Sequence, residues 1–282
     1  MSFDRRTTPA RSDLADERLR GQVEAARYTT GTERRVTANI APLHRQPSRE
    51  APVDTQAIFG EAVTVYDEHE GWAWVQLRDD GYVGYLPSAA LGEPGPAPTH
   101  RVAAIRTFIY PGPNLKLPCQ DFLTLNSRLA VTGTEGDYAR LADGGWVYAP
   151  HLSPLDAREP DYVSVAERFL HTPYLWGGRT SLGIDCSGLA QTVLAAAGIK
   201  APRDTDMQER ELGSAIEVTP DLKGLRRGDL VFWKGHVGLM MDETTFIHAT
   251  GHSMTVMIEP LAVAEDRIRR TSYGPISSIK RL

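Results

Sequence analysis

Short runs in which apolar and polar residues alternate fill the first half of the chain, and helix-like apolar stripes come later. Alternation with a period of two marks a strand with one buried face. It is clear in Ala57–Tyr66, Trp72–Leu77 and Tyr82–Leu86, and Asp79-Asp80-Gly81 supplies a hairpin signal between the last two. The same texture returns at 101–110, 128–133, 138–141 and 146–149. Between the two stretches, Gly92-Glu93-Pro94-Gly95-Pro96-Ala97-Pro98 carries too much Pro and Gly for any regular element and reads as a linker. Trp74–Leu77 with Gly81-Tyr82-Val83 aligns weakly with Tyr138–Leu141 and Gly145-Trp146-Val147. Two tandem five-stranded barrels are therefore predicted, over residues 35–93 and 99–154. Before them, Leu14, Leu19, Val23 and Ala26 predict one amphipathic helix over 13–27, within an N-terminal arm of residues 1–34.

From residue 156 the pattern changes. Residues 163–170 and 186–197 read as helices, the second a buried one ending at Gly198. Strands are predicted at 229–233, 237–241 and 245–250, with a tight turn near Asp242-Glu243-Thr244. Helices before a sheet make residues 156–282 an α+β domain, so the fold class is multidomain: two small all-β barrels followed by an α+β domain.

Composition narrows the function. With 282 residues, 41% of them hydrophobic and 24% charged, the chain is long enough for two or three globular domains. A formal charge of −5 argues against nucleic acid as a partner. No apolar stretch reaches membrane-spanning length, so no membrane partner is expected either. The start, Met1-Ser2-Phe3-Asp4-Arg5-Arg6, is polar, which favours a cytoplasmic location over a secretory one. Two cysteines are too few for a disulfide scaffold.

One of them stands out. In Asp185-Cys186-Ser187-Gly188-Leu189 a thiol sits between a capping carboxylate and the buried helix, at the positive end of the helix dipole. That position favours the thiolate and predicts a nucleophile. A cysteine hydrolase also needs a base and a group that orients the base. His236, at the mouth of an alternating strand, and His248, in the middle of the next, can be brought together by the intervening turn. His252, after a turn signal, is the weaker candidate for the place of His248. One Cys and two His in this pattern do not make a zinc site, so no metal or other cofactor is expected. Cys119 has no histidine near it and reads as structural.

Pro173-Tyr174-Leu175-Trp176-Gly177-Gly178, the Cys186 pentapeptide, Arg227–Phe232, Gly235-His236-Val237-Gly238 and Ile247-His248-Ala249 stand in the order and spacing of the NlpC family. Residues 156–282 thus resemble papain-like cysteine peptidases that cut cell-wall peptides, and the preceding barrels resemble bacterial SH3-like domains. The resemblance implies Cys186 as nucleophile, His236 as base, His248 as the orienting residue, and Tyr174 near the oxyanion. The order of domains is similar to one branch, the γ-D-glutamyl-L-diamino-acid endopeptidases that trim recycled murein peptides bearing a free N-terminal L-alanine. It implies a murein peptide, L-Ala-γ-D-Glu-diamino acid, as substrate. A protonated amine calls for a carboxylate, and Asp204, in the loop Pro202-Arg203-Asp204-Thr205, is its first candidate, unless it caps a local turn. Asp185, Ser187 and Arg203 are expected near the substrate, although Arg203 equally suits a salt bridge to a carboxylate. Glu61 and Tyr82 are the first barrel's candidates, unless they are ordinary barrel residues. The rival function is an exported hydrolase of intact peptidoglycan with the SH3-like domains as wall anchors. The residues also leave room for an acyltransferase of the same class and for a purely binding role.

Overall fold

The alternating segments fold as strands, and a computed structural model describes them together with the rest of residues 3–217, 219 and 221–282. The chain divides into two units, Met1–Ala157 and Arg158–Leu282.

The first unit is almost entirely β. Seven strands from Thr32–Val36 to Leu91–Gly92 make one antiparallel sheet, two more than the five expected. The additions are the short pairing of Leu91–Gly92 with the end of Thr32–Val36 and the pairing of Ile40–His44 with Val53–Ile58. The turn 79–81 closes the hairpin between Trp72–Leu77 and Val83–Pro87, with Gly81 at a φ of +77°. Val36, Leu43, Val63, Val75, Leu77, Tyr82 and Leu86 fill the core, every second residue of their strands pointing inward. Residues 100–154 form eight short strands in three small sheets around Val102, Leu123, Leu129, Leu141 and Val147. A bridge between Tyr110 and Trp146 links two of these sheets, and no single continuous five-stranded ladder runs through them among the described residues.

The predicted N-terminal helix does not form. Leu14–Asp16 is a strand paired in parallel with Arg27–Thr29, and a 3₁₀ turn, Glu17–Leu19, lies between them. Tertiary bonds override helix periodicity here. Leu14 is buried against Tyr66 and Trp74, the buried Asp16 accepts a 2.6 Å hydrogen bond from the Tyr66 hydroxyl, and Gly21 takes a φ of +79°.

The second unit has a six-stranded antiparallel sheet, in the order Ser214–Ile216, Ser278–Arg281, Leu230–Trp233, His236–Met240, Thr245–Thr250, Thr255–Pro260. Its helices are α1 (Tyr162–Glu167), α2 (Cys186–Ala196), α3 (Thr205–Glu211) and α4 (Leu261–Thr271). Leu261, Ala264 and Ile268 of α4 pack with Val231, Trp233, Met240 and Phe246 of the sheet. Helix α2 packs on His236–Met240 and Thr245–Thr250, and all of its residues except Ala195 are buried. Among the described residues no helix is long and apolar enough to cross a membrane.

Candidate active site

Asp185 fixes the start of α2. Its carboxylate accepts the Gly188 amide at 2.7 Å, a capping bond that leaves Cys186 in the first helical turn. Gly188 is obligatory at that turn, since a Cβ there would lie 2.2 Å from the Gly178 carbonyl. Arg203, buried to 1% exposure, lies across the same carboxylate with bonds of 3.0 and 2.6 Å, and its Nη1 donates to Ser187 at 2.8 Å. Gly177 gives Asp185 a further amide bond of 2.8 Å. Asp185, Ser187 and Arg203 thus share one buried network beneath the thiol, and Arg203 makes the salt bridge to a carboxylate that its residue type allowed.

The thiol itself is buried. Burial and the Asp185 carboxylate push it up to about 11, against the amides of Val237 and Ser187 and the Thr205 hydroxyl, which favour the thiolate. Thr205 Oγ1 is 4.0 Å from Sγ. Helix position alone predicted a ready thiolate. In the folded site burial and Asp185 work against the thiolate that the helix position favours.

His236 and His248 come from adjacent strands joined by the Asp242 turn, whose carboxylate accepts the Thr244 and Thr245 amides at 2.7 and 2.8 Å. His236 Nε2 and His248 Nδ1 are 2.8 Å apart. Gly238 makes room for this crossing, because a Cβ there would lie 2.5 Å from the Phe246 ring and 3.1 Å from His248 Cβ. Burial, His248 and Arg267 hold His236 well below the usual imidazole range, so it rests neutral. The ring of Tyr273 stacks on His236 at 5.7 Å, and Val237, whose amide favours the thiolate, is the next residue along the strand. Cys186 and the His236 end of the strand therefore meet.

Tyr174 is half-buried, and burial together with Cys186 and Asp185 raises its phenol, which stays a neutral hydrogen-bond donor beside the thiol. Asp204 occupies the N-cap position of α3 but makes no side-chain capping bond there. Glu61 and Tyr82 lie in the first unit. Both are buried, Glu61 accepting the Ile58 amide at 3.1 Å and Tyr82 lying in the sheet core. The Asp of the Arg227-Gly228-Asp229 motif is structural, buried to 1% exposure and bound by Arg281 at 2.7 and 2.6 Å. Among the described residues no cluster of three or more His, Cys, Asp or Glu side chains could hold a metal ion.

A search against protein families matches residues 171–268 to the NlpC/P60 family, a match that contains Cys186, His236 and His248. The chain belongs to the NlpC/P60 family of cysteine peptidases. Residues 43–91 match the bacterial dipeptidyl-peptidase Sh3 domain. Among curated relatives of this NlpC/P60 chain, a gamma-D-glutamyl-L-lysine dipeptidyl-peptidase of Bacillus cereus is 28% identical over 241 residues, covering 74% of this chain and 71% of the relative. Dipeptidyl-peptidase 6 of Lysinibacillus sphaericus is 27% identical over 277 residues, covering 88% and 98%. The crystal structure of an NlpC/P60 family protein from Bacillus cereus superposes with a TM-score of 0.73 at 21% identity, covering 89% of this chain and 99% of that one.

Four residues of the site escaped the sequence: Thr205, Glu259, Arg267 and Tyr273. Glu259 is bonded to His248 Nε2 at 2.8 Å and to Arg267 at 2.6 and 2.5 Å. Alternation along Thr255–Pro260 contained a signal for Glu259, which shares a face with Met257, the residue opposite His248.

Proposed function

We propose that this NlpC/P60 peptidase cleaves the γ-D-glutamyl–diamino acid bond of free murein peptides that carry an N-terminal L-alanine. The observation that supports this chemistry is a thiol at the start of α2 that faces the amide of Val237, the neighbour of His236, whose Nε2 lies 2.8 Å from His248 Nδ1. The relatives named gamma-D-glutamyl-L-lysine dipeptidyl-peptidase and the dipeptidyl-peptidase Sh3 match support this choice of substrate.

Both resting groups are neutral, so the reaction begins with proton transfer. His236 takes the Cys186 proton as Sγ attacks the γ-carbonyl carbon, forming a tetrahedral oxyanion. The Cys186 amide at the open end of α2 and the neutral Tyr174 hydroxyl are the donors for that oxyanion. His236 returns the proton to the leaving amine, which leaves a thioester. Water, deprotonated by His236, then releases the glutamyl product and the free thiol. Asp204 is the proposed partner of the substrate amine.

The test is hydrolysis of L-Ala-γ-D-Glu-L-Lys and its meso-diaminopimelate counterpart, each with a free and with an acetylated amine. Release of L-Ala-D-Glu from the free peptides, and from neither with Cys186→Ala, is expected. Asp204→Ala should cost free-amine substrates far more than acetylated ones, and equal losses would remove Asp204 from amine binding. Release of peptides from purified cross-linked sacculi at a comparable rate would refute the proposed substrate.

A further inference from the structure

We propose that Glu259 and Arg267 are positioning residues of this reaction: together they fix the proton of His248 on Nε2 and thereby oblige His236 to present a bare Nδ1 to the thiol. The inference rests on the assignment of His236 as base, and deepens it.

Protons can be counted along one line of hydrogen bonds. Arg267 of α4 grips the Glu259 carboxylate through two nitrogens, Nη1 to Oε2 at 2.6 Å and Nη2 to Oε1 at 2.5 Å. A forked guanidinium bond of this kind holds a carboxylate ionised. Burial works to raise the Glu259 carboxyl, but the bonds from Arg267 and His248 overcome it and take it down to about 2. An ionised carboxylate only accepts. His248 Nε2, 2.8 Å from Oε1, must therefore carry a hydrogen. A neutral imidazole has one N–H, so His248 Nδ1 is a lone pair. That lone pair lies 2.8 Å from His236 Nε2, which must be the donor. The one nitrogen of His236 left without a hydrogen is Nδ1.

The two histidines have a second arrangement, with both ring protons reversed. If the acceptor at Oε1 is lost, His248 can keep its hydrogen on Nδ1 and donate it to His236 Nε2. His236 then carries its hydrogen on Nδ1 and is no base toward Cys186. The carboxylate chooses between the two directions, and Arg267 keeps it ionised while offsetting its charge. The groups facing the line come from every neighbouring element. They are Cys186 at the start of α2, Tyr273 after α4, and His252 in the turn after His248. It is Glu259, and not one of these, that takes the hydrogen of His248 Nε2.

The experiment uses the whole chain, labelled with ¹⁵N histidine, and L-Ala-γ-D-Glu-L-Lys as substrate. Ring nitrogen shifts of the native protein should show Nε2–H on both His236 and His248. Glu259→Gln keeps the shape but offers His248 an amide that can accept or donate. It is expected to mix the two tautomers and to lower kcat at least tenfold, with KM within about twofold, as removal of a tautomer-fixing carboxylate does in other hydrolases. Arg267→Lys, which keeps the charge but not the fork, should give a smaller loss of the same kind. Native shifts showing Nδ1–H on His248 overturn the proposal even if Glu259→Gln does not fold. Unchanged shifts or an unchanged kcat in a folded Glu259→Gln protein overturn it as well. The control separates the two levels: undiminished turnover by Cys186→Ala would defeat the assignment of the reaction, whereas the histidine shifts test the proton line independently.

Discussion

Arg203→Met tests whether the network under the thiol is an electrostatic unit. The guanidinium is 1% exposed and supplies two of the bonds on the Asp185 carboxylate, at 3.0 and 2.6 Å. Removing one partner of a buried ion pair costs about 3–5 kcal/mol, because the other charge stays buried. Asp185 would keep the amides of Gly177 and Gly188, the Ser187 hydroxyl and the favourable end of the α2 dipole. These place the expected cost at the lower end, about 3 kcal/mol. Hydrogen exchange of the α2 amides reads this cost in the second unit alone, where it corresponds to roughly a hundredfold faster exchange. The uncompensated carboxylate also stands beside Cys186, whose thiol it already raises, so alkylation of the folded Arg203→Met protein at fixed pH should be slower than that of the native protein. Adding Asp185→Asn should restore much of both losses, and Arg203→Lys should not match the native protein because it lacks the fork. Strictly additive effects of Arg203→Met and Asp185→Asn, in a folded double variant, would refute the idea that the two residues act as a pair.

Iodoacetamide alkylation of Cys186 should rise steadily from pH 6 to pH 9, since burial raises the thiol and lowers His236; a rate already at its plateau at pH 6 would reveal a preformed ion pair. Gly238→Ala should cut kcat by tenfold or more while the protein remains folded, because the new Cβ drives the buried Phe246 ring, 4.3 Å from His248, into the histidine pair; native turnover would refute this. Glu259, down at about 2 when folded against about 4.3 when unfolded, contributes about 3 kcal/mol that is fully present above pH 4.3 and lost as the pH falls through 2. The buried histidines add an earlier loss, as their unfolded forms take up protons below about pH 6.5 while the folded rings resist. Acid unfolding followed by exchange in the second unit should therefore begin below pH 6.5 and steepen below 4.3, and Glu259→Gln should flatten the lower limb.

The segments that carry Cys186, His236 and His248 were legible because each announces itself locally. Cys186 follows a capping Asp and opens an apolar run, and His236 and His248 interrupt apolar alternation on strands joined by a short turn. The misread arm shows the opposite case. Leu14, Leu19, Val23 and Ala26 satisfy a helical stripe, but Asp16 and Leu14 find better partners in Tyr66 and Trp74, some fifty residues away in sequence. Periodicity counts only what a segment offers, and cannot register a partner elsewhere that takes it.

Electrostatics at the thiol was hidden for the same reason. The dipole acts through neighbours along the chain, and it gives the correct sign for the helix taken alone. What reverses the outcome is burial, created by strands and loops remote in sequence, and the carboxylate that also caps the helix. One residue, Asp185, thus has two opposed effects: it orders the turn that presents Cys186 and disfavours the charge that Cys186 must acquire. Arg203 offsets the second effect without disturbing the first, since it binds the carboxylate from the side of α3 while the α2 amides keep their bond. Burial thus works against a resting thiolate, and in the proposed mechanism the charge forms as His236 takes the proton during attack. Slow reaction with small electrophiles and fast turnover of the proposed peptide are the expected outcome, and the ratio of those two rates in native and Arg203→Met protein measures how far Arg203 offsets Asp185.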